Sequence, residues 1–338
     1  VDSKTLSKLR DVIDRHEVFV QVTHVNPDGD GLGSAMAMSR WLRSQGKEAR
    51  VVLPSAPSKR LAFLASPGEL DVLDGAPPRL PAGTVFMLHD VSTLRRLGIM
   101  EPIVRKSTEP IVVFDHHDGA IELDGLAVVD ADAGATAQVV YDVLTAWNAP
   151  MALDIALPLY VGLLADTGSF NYGKTSPHTH EVAARLLAAG VDPLWVHGQL
   201  EGRKSAEGMR IAGEVLRHLR VDDEDPRIAW LMLPMDLWKR EGDSILEAVD
   251  LVNQTIAVDG VEAGALLIHA ERGRTRLSMR SKGKTSVLET AKAFGGGGHV
   301  NAAGASIDEE PDALLPKLLA RLRADLRAQL GPPTGPSA

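Results

Sequence analysis

Three short apolar runs in the first half of the chain each end in histidine or aspartate, and helical segments separate them. Phe19–Val22 runs into Thr23-His24-Val25-Asn26-Pro27-Asp28-Gly29-Asp30, Val85–Leu88 into His89-Asp90, and Ile111–Phe114 into Asp115-His116-His117. Runs of this length, bounded by turn-forming residues, read as buried strands. Arg50–Leu53 and Ala127–Val129 are further strand segments. Leu32–Gln45, Thr136–Trp147, Ile155–Leu164 and His180–Ala189 carry helical spacing, and a short helix is expected near Ser58–Leu64. This alternation predicts an α/β chain whose larger N-terminal part is a doubly wound, mostly parallel sheet. Open sheets of this kind place their chemistry at the carboxyl ends of strands. Three acidic or histidine-bearing strand ends in one domain therefore point to a polynuclear metal site.

A length of 338 residues suits two domains. The expected organisation is a larger domain over 1–190, a helical connector over 191–226, a smaller α/β domain over 227–330 and a disordered Pro/Gly tail over 331–338. In the smaller domain Ile228–Leu233, Ala263–Ala270 and Thr275–Met279 read as strands and Asp312–Arg327 as a terminal amphipathic helix.

The chain has no cysteine, so any metal must be held by histidine and carboxylate. Its longest apolar stretch, Ile155–Ala165, falls short of the roughly 20 residues that span a bilayer. No secretory signal is evident, and a cytoplasmic protein without membrane contact is the expectation. Acidic residues outnumber basic ones by 45 to 36, for a formal net charge of −9, and aromatics make up 4%. Tracking a long nucleic acid requires a basic stripe and stacking platforms. The balance favours a small or short anionic substrate.

His24, Asp28 and Asp30 fall within seven residues of loop-forming sequence. Imidazole and hard oxygen ligands together suit Mn²⁺, Mg²⁺ or Co²⁺. The competing reading is a Pro-Gly turn that only caps the next helix. A dinucleotide fingerprint fails here, because Ser34 stands where the third glycine belongs. The glycines at 29, 31 and 33 are expected to keep side chains clear of the metals and to let the loop pack against the helix start. Asp90 gains weight as a bridging carboxylate only beside the other strand ends. Of the two adjacent histidines, one can bind metal while the other faces substrate, with Asp115 holding a ring from behind. Asp166 emerges from an apolar segment, where an uncompensated carboxylate is costly. His178 and His180 read as helix-start residues. Gly295–Gly298 with His299 permits a backbone anion cradle, and Arg280 is a candidate phosphate clamp.

In order and spacing, the motifs at His24-Asp28-Asp30, Asp90, Asp115-His116-His117, Asp166 and Gly296-Gly297-Gly298-His299 resemble the DHH/DHHA1 phosphoesterase superfamily. The resemblance is strongest to its short nanoRNase/pAp-phosphatase branch and runs from about His24 to about Gly304. It implies two Mn²⁺ ions in a cleft between the catalytic domain and a DHHA1 domain. One ion would take His24, Asp28 and Asp90, the other Asp30, Asp90, His116 and Asp166. His117 would contact the scissile phosphate with Asp115 behind it, while Arg280, Gly296, Gly297, Gly298 and His299 grip the substrate. The implied activity is hydrolysis of very short RNA to nucleoside 5′-monophosphates, or of pAp to AMP and phosphate, with homodimerisation plausible. The alternatives are a c-di-AMP or pApA phosphodiesterase and, in another class, a catalytically silent nucleotide-binding regulator.

Overall fold

Short strands buried along nearly their whole length build the first sheet, and the chain enters it from a helix. The elements in order are α1 (Ser3–Arg15), β1 (Val18–Val22), α2 (Gly29–Ser44), β2 (Glu48–Leu53), β3 (Leu70–Val72), β4 (Thr84–His89), α3 (Glu101–Arg105), β5 (Ile111–Asp115), β6 (Leu126–Val129), α4 (Thr136–Ala146), α5 (Leu153–Asp166), α6 (Pro177–Ala188) and α7 (Pro193–Leu200). Two 3₁₀ segments, Lys59–Leu64 and Leu94–Met100, lie among them. The computed structural model describes residues 1–91, 93–117, 124–171, 173–201, 206–233, 235–239, 251–270, 273–283 and 285–333.

All strand pairs in this sheet are parallel, in the order β3-β2-β1-β4-β5-β6. Because side chains alternate between faces, each strand feeds two cores. Phe19, Val51, Val85, Met87 and Phe114 face the layer built from α2, α4 and α5. Val20, Val22, Phe86, Leu88 and Val113 face the layer that includes Leu94, Leu97 and Val104. The strand order reverses direction between β1 and β4. Doubly wound sheets open a crevice at such a reversal, beyond the strand carboxyl ends.

α2 and α5 approach closely because both offer glycine at the contact. A Cβ on Gly33 would stand 2.2 Å from the Pro158 carbonyl oxygen, and one on Gly162 would lie 3.0 Å from Asp30 Oδ1 in α2 and 2.7 Å from Ala137 Cβ in α4. Pro158 lies inside α5 and removes the amide that would have bonded Asp154 O. Arg40 Nη1 takes that carbonyl instead, at 2.7 Å. Two of the three glycines expected to clear space for metals thus serve packing. Gly29 and Gly33 lie against α5, and only Gly31 faces Thr23 and His24.

The chain divides into two compact units, Val1–Gly202 and Arg203–Ala338. The division falls inside the stretch read as a helical connector, which holds α7, then α8 (Ala206–Leu216) and β7 (Leu219–Val221). The strand ends the helical character because Leu219–Val221 pairs antiparallel with β8 (Ile228–Met232). The second unit continues with α9 (Leu251–Ile256), β9 (Ala263–Ala270), β10 (Arg274–Ser281), α10 (Leu288–Ala293), β11 (Gly297–Gly298), β12 (Ala302–Ile307) and α11 (Pro311–Leu330). Its mixed sheet runs β11-β12-β10-β9-β8-β7. α11 covers it with Leu314, Leu318, Leu322 and Leu326, spaced to form one apolar face. Arg323 reaches Asp222 at 2.6 and 2.7 Å, fixing the β7–β8 turn to that helix. From residue 334 onward, the expected tail lies outside the described residues. Among the described residues no helix is long and apolar enough to cross a membrane.

Gly33→Ala is expected to destabilise the protein by about 1–3 kcal/mol, since a rigid carbonyl must move. Gly213→Ala, on an open face of α8 where a Cβ meets nothing within 4 Å, should instead be neutral or stabilise by up to about 1 kcal/mol. Denaturant unfolding of both variants checks the contrast.

Candidate metal centre

β1, β4 and β5 end side by side, so the residues that follow them converge at the strand-order reversal. His24 follows β1. Its Nδ1 lies 2.8 Å from Val25 O, and its Nε2 lies 3.4 Å from both Asp28 Oδ2 and Asp90 Oδ2. Asp28 does two jobs. Its Oδ1 caps α2 by accepting the amides of Asp30 and Gly31 at 3.1 and 3.0 Å, while Oδ2 faces His24. The helix-cap and ligand readings of this loop are therefore compatible.

Asp30 belongs to the first turn of α2 rather than to a loop. It is fully buried, and its two oxygens accept the backbone amides of Thr136 (2.7 Å) and Ala137 (2.8 Å). His116 mirrors His24. Its Nδ1 lies 3.1 Å from Ala133 O, and its Nε2 lies 2.8 Å from Asp166 Oδ2, 3.9 Å from Asp30 Oδ2 and 3.8 Å from Asp90 Oδ1. Asp166 is the last residue of α5, one helical turn past the apolar body of that helix.

Asp90 stands between the two sets. Its Oδ2 faces His24 and its Oδ1 faces His116. The residue adopts φ of 58°, a left-handed conformation uncommon for a non-glycine residue, which turns the chain immediately after β4. Potential ligand atoms gather accordingly into His24, Asp28 and Asp90, and into Asp30, His116 and Asp166.

Asp115 supports the loop behind this cluster. Its Oδ1 accepts the amides of His116 (2.8 Å) and His117 (3.1 Å) and meets His117 Nδ1 at 2.6 Å. Burial opposes its charge, but the His117 contacts hold its carboxyl below the usual range. Sequence reading missed Thr136, whose hydroxyl donates to Asp90 Oδ1 at 3.3 Å, and Lys174, whose ammonium donates to His116 O at 3.0 Å. His89, the histidine of the second strand end, turns instead into the interior, 2.8 Å from Gln21, and is pushed down to about 3 by burial. His178 and His180 stay apart from the cluster. Ser176 caps α6 with a reciprocal Ser176–Thr179 pair, His178 pairs with Asp142 at 2.9 Å, and His180 stacks on Phe170.

The electrostatics fit divalent cations. Burial, then repulsion from Asp166 and Asp90, pushes the Asp30 carboxyl well above its ordinary range. Burial likewise raises Asp90, with Asp28 and Asp166 adding repulsion against the relief from His24. Burial alone would lower the two imidazoles, yet the carboxylates hold both up at about 10, Asp28 and Asp90 for His24, Asp166 and Asp30 for His116. Buried His24 Nε2 has no hydrogen bond of good geometry. With a carbonyl beside each Nδ1, both rings offer Nε2 to the carboxylates, the arrangement found in metal-binding histidines.

In the second unit, β10 register places Arg280 opposite Ala302. Arg280 Nη1 donates to Met279 O at 3.0 Å, while its Nε is buried without a hydrogen-bond partner. The glycine run is more ordered than a wrapped loop. Gly297 and Gly298 pair with Gly304 and Ala303, and His299 closes a tight turn through its amide to Ala302 O at 2.8 Å. A Cβ on Gly296 would lie 2.0 Å from Gly304 O, so strand packing alone demands that glycine.

Residues 18–163 match the N-terminal domain of the DHH family, and residues 238–328 match the DHHA1 domain. The bifunctional oligoribonuclease and PAP phosphatase NrnA of Thermus thermophilus is 33% identical over 286 residues, covering 84% of this chain and 82% of that protein. The chain belongs to the DHH family. The cyclic-di-AMP phosphodiesterase GdpP of Geobacillus thermodenitrificans is 24% identical over 319 residues, and the match covers 46% of its length. Among solved structures, an exopolyphosphatase-related protein from Bacteroides fragilis shares the fold with a TM-score of 0.85 at 22% identity, covering 97% of this chain and 98% of that one.

A nitrogen that ligates a cation carries no proton, whereas His24 and His116 hold theirs at pH 7. Cation uptake by metal-stripped protein at pH 7 should therefore release protons, and apparent affinity should rise with pH toward about 10. Titration with Mn²⁺ in weakly buffered indicator solution checks this. Uptake without proton release would contradict the protonation assigned to the two imidazoles.

Proposed function

We propose that this DHH-family chain is a divalent-cation-dependent phosphoesterase. It hydrolyses very short oligoribonucleotides to nucleoside 5′-monophosphates and pAp to AMP and phosphate. The observation that carries the reading is the division of Asp90 between two donor sets, in a chain 33% identical to an oligoribonuclease and PAP phosphatase. His24, Asp28 and Asp90 would hold one cation; Asp30, Asp90, His116 and Asp166 the other. Mn²⁺ is the expected ion, with Mg²⁺ or Co²⁺ able to use the same imidazole and carboxylate donors.

When bound, paired cations of this kind supply activation of water near neutral pH and charge stabilisation on the attacking and leaving oxygens. The chain's own residues do the rest. Asp115 locks His117 through Nδ1, which commits the ring's Nε2 to the scissile phosphate, where it stabilises developing charge or hands a proton to the leaving oxygen. Lys174 and the Asp115 carboxylate fix the backbone that carries both histidines. In the second unit, the buried Nε of Arg280 lacks a partner and suits a phosphate oxygen. His299 and the Gly296–Gly298 strand would bind the same distal phosphate.

The GdpP relationship keeps c-di-AMP and pApA hydrolysis as the second reading. Side-by-side turnover of pAp, pApA, c-di-AMP and 5′-labelled RNA of two to twenty nucleotides, with Mn²⁺, separates the two. The proposal expects the highest kcat/KM on two- to four-residue RNA and on pAp, falling steeply with length. Preference for c-di-AMP would replace it with the second reading, and no turnover of any phosphoester would contradict both.

A further inference from the structure

α4 starts without a cap of its own. Ala135 occupies its N-cap position and has no side chain that can accept a hydrogen bond, whereas α2, α6 and α7 are capped locally by Asp28, Ser176 and Asp192. The first amides of a helix require acceptors. Here Asp30 supplies them from 106 residues away in sequence, taking Thr136 N–H on Oδ2 at 2.7 Å and Ala137 N–H on Oδ1 at 2.8 Å. The Thr136 hydroxyl serves a different carboxylate, donating to Asp90 Oδ1 at 3.3 Å. Thr136 and Asp30 have no solvent exposure and Asp90 has 2%, so water does not compete for these bonds.

We propose that Thr136 is a positioning residue of the metal centre, its amide fixing Asp30 and its hydroxyl setting how the two oxygens of Asp90 divide between the two donor sets. The proposal rests on the assignment of Asp30 and Asp90 as cation ligands made above. Both contacts leave ligation open, because a carboxylate oxygen that accepts one hydrogen bond keeps a second lone pair. The oxygen of Asp30 that Thr136 N–H holds is the one 3.9 Å from His116 Nε2. The oxygen of Asp90 that the hydroxyl holds lies 3.8 Å from the same nitrogen. Thr136 therefore anchors the sides of both carboxylates that face His116, leaving Asp90 Oδ2 to His24. The partial positive charge at the start of α4 also offsets repulsion between these buried carboxylates.

Thr136→Val keeps the backbone amide and the side-chain shape but deletes the hydroxyl; Thr136→Ser restores it. The parent and both variants, full length and metal-stripped, are titrated with Mn²⁺ by calorimetry, with electron paramagnetic resonance of the loaded forms. Thermal unfolding is measured with and without Mn²⁺. Thr136→Val should bind its weaker ion on the order of 10-fold less tightly, with an altered spectrum of the ion pair and a smaller Mn²⁺-induced rise in Tm. Thr136→Ser keeps the hydroxyl on Asp90 and should stay within about 2-fold of the parent in Mn²⁺ affinity. A purely structural role would lower the metal-free Tm of Thr136→Val and leave Mn²⁺ affinity and spectrum unchanged, which would overturn the proposal. If the valine variant does not fold, Thr136→Ala carries the same expectations. A parent that binds no divalent cation would remove the ligand assignment and this proposal together; a parent that binds two, matched by Thr136→Val, would remove this proposal alone.

Discussion

The site depends on holding Asp28, Asp30, Asp90 and Asp166 close together in a largely buried place. Carboxylates packed together repel one another strongly where water is excluded; burial first, and that repulsion after it, raises the Asp30 and Asp90 carboxyls. The fold offsets part of it with fixed dipoles: the start of α2 at Asp28 and the start of α4 at Asp30. His24 and His116 offset another part by holding protons to about pH 10. These are the protons that cations would displace. A constellation this charged persists because the surrounding sheet and helices leave each side chain one arrangement.

The topology explains why distant residues meet. The order β3-β2-β1-β4-β5-β6 puts the ends of β1 and β4 on either side of the reversal and β5 next to β4. His24, Asp90 and His116 arrive there as the first residues beyond, or next to, their strands. α5 delivers Asp166 by running tightly along α2, which is why Gly33 faces a neighbour too close to admit a Cβ. Packing at that helix pair and geometry at the metal centre are thus one constraint. A shift of α5 to accommodate a methyl group at position 33 would move Asp166 relative to His116.

Much of this was legible in the sequence because strand ends carry their chemistry locally. The apolar runs before His24, Asp90 and Asp115 located three of the converging segments, and the apolar body of α5 marked Asp166 as a carboxylate in need of compensation. What stayed hidden depends on contacts between segments remote in sequence. Thr136 looks like an ordinary helix-start residue until Asp30 is seen to cap its helix from 106 residues away. Its only local signal was negative, the lack of a capping side chain at Ala135. Asp30 reads as part of a loop because Pro27 and Gly29 mark a turn, whereas Asp28 caps α2 early enough to put Asp30 in its first turn. The connector over 191–226 reads as helical because pairing of Leu219–Val221 with β8 is not encoded in helical periodicity. The Gly295–Gly298 run reads as an anion cradle, and the close approach of Gly304 gives Gly296 a structural reason that the sequence does not show.

The central claim is that the Asp90 carboxylate is shared by two cations. Anomalous diffraction from crystals loaded with Mn²⁺ tests it directly. The account predicts two peaks about 3.5–4 Å apart, one beside His24 and Asp28, the other beside Asp30, His116 and Asp166, with Asp90 contacting both. A single peak, or two peaks of which only one touches Asp90, would contradict it.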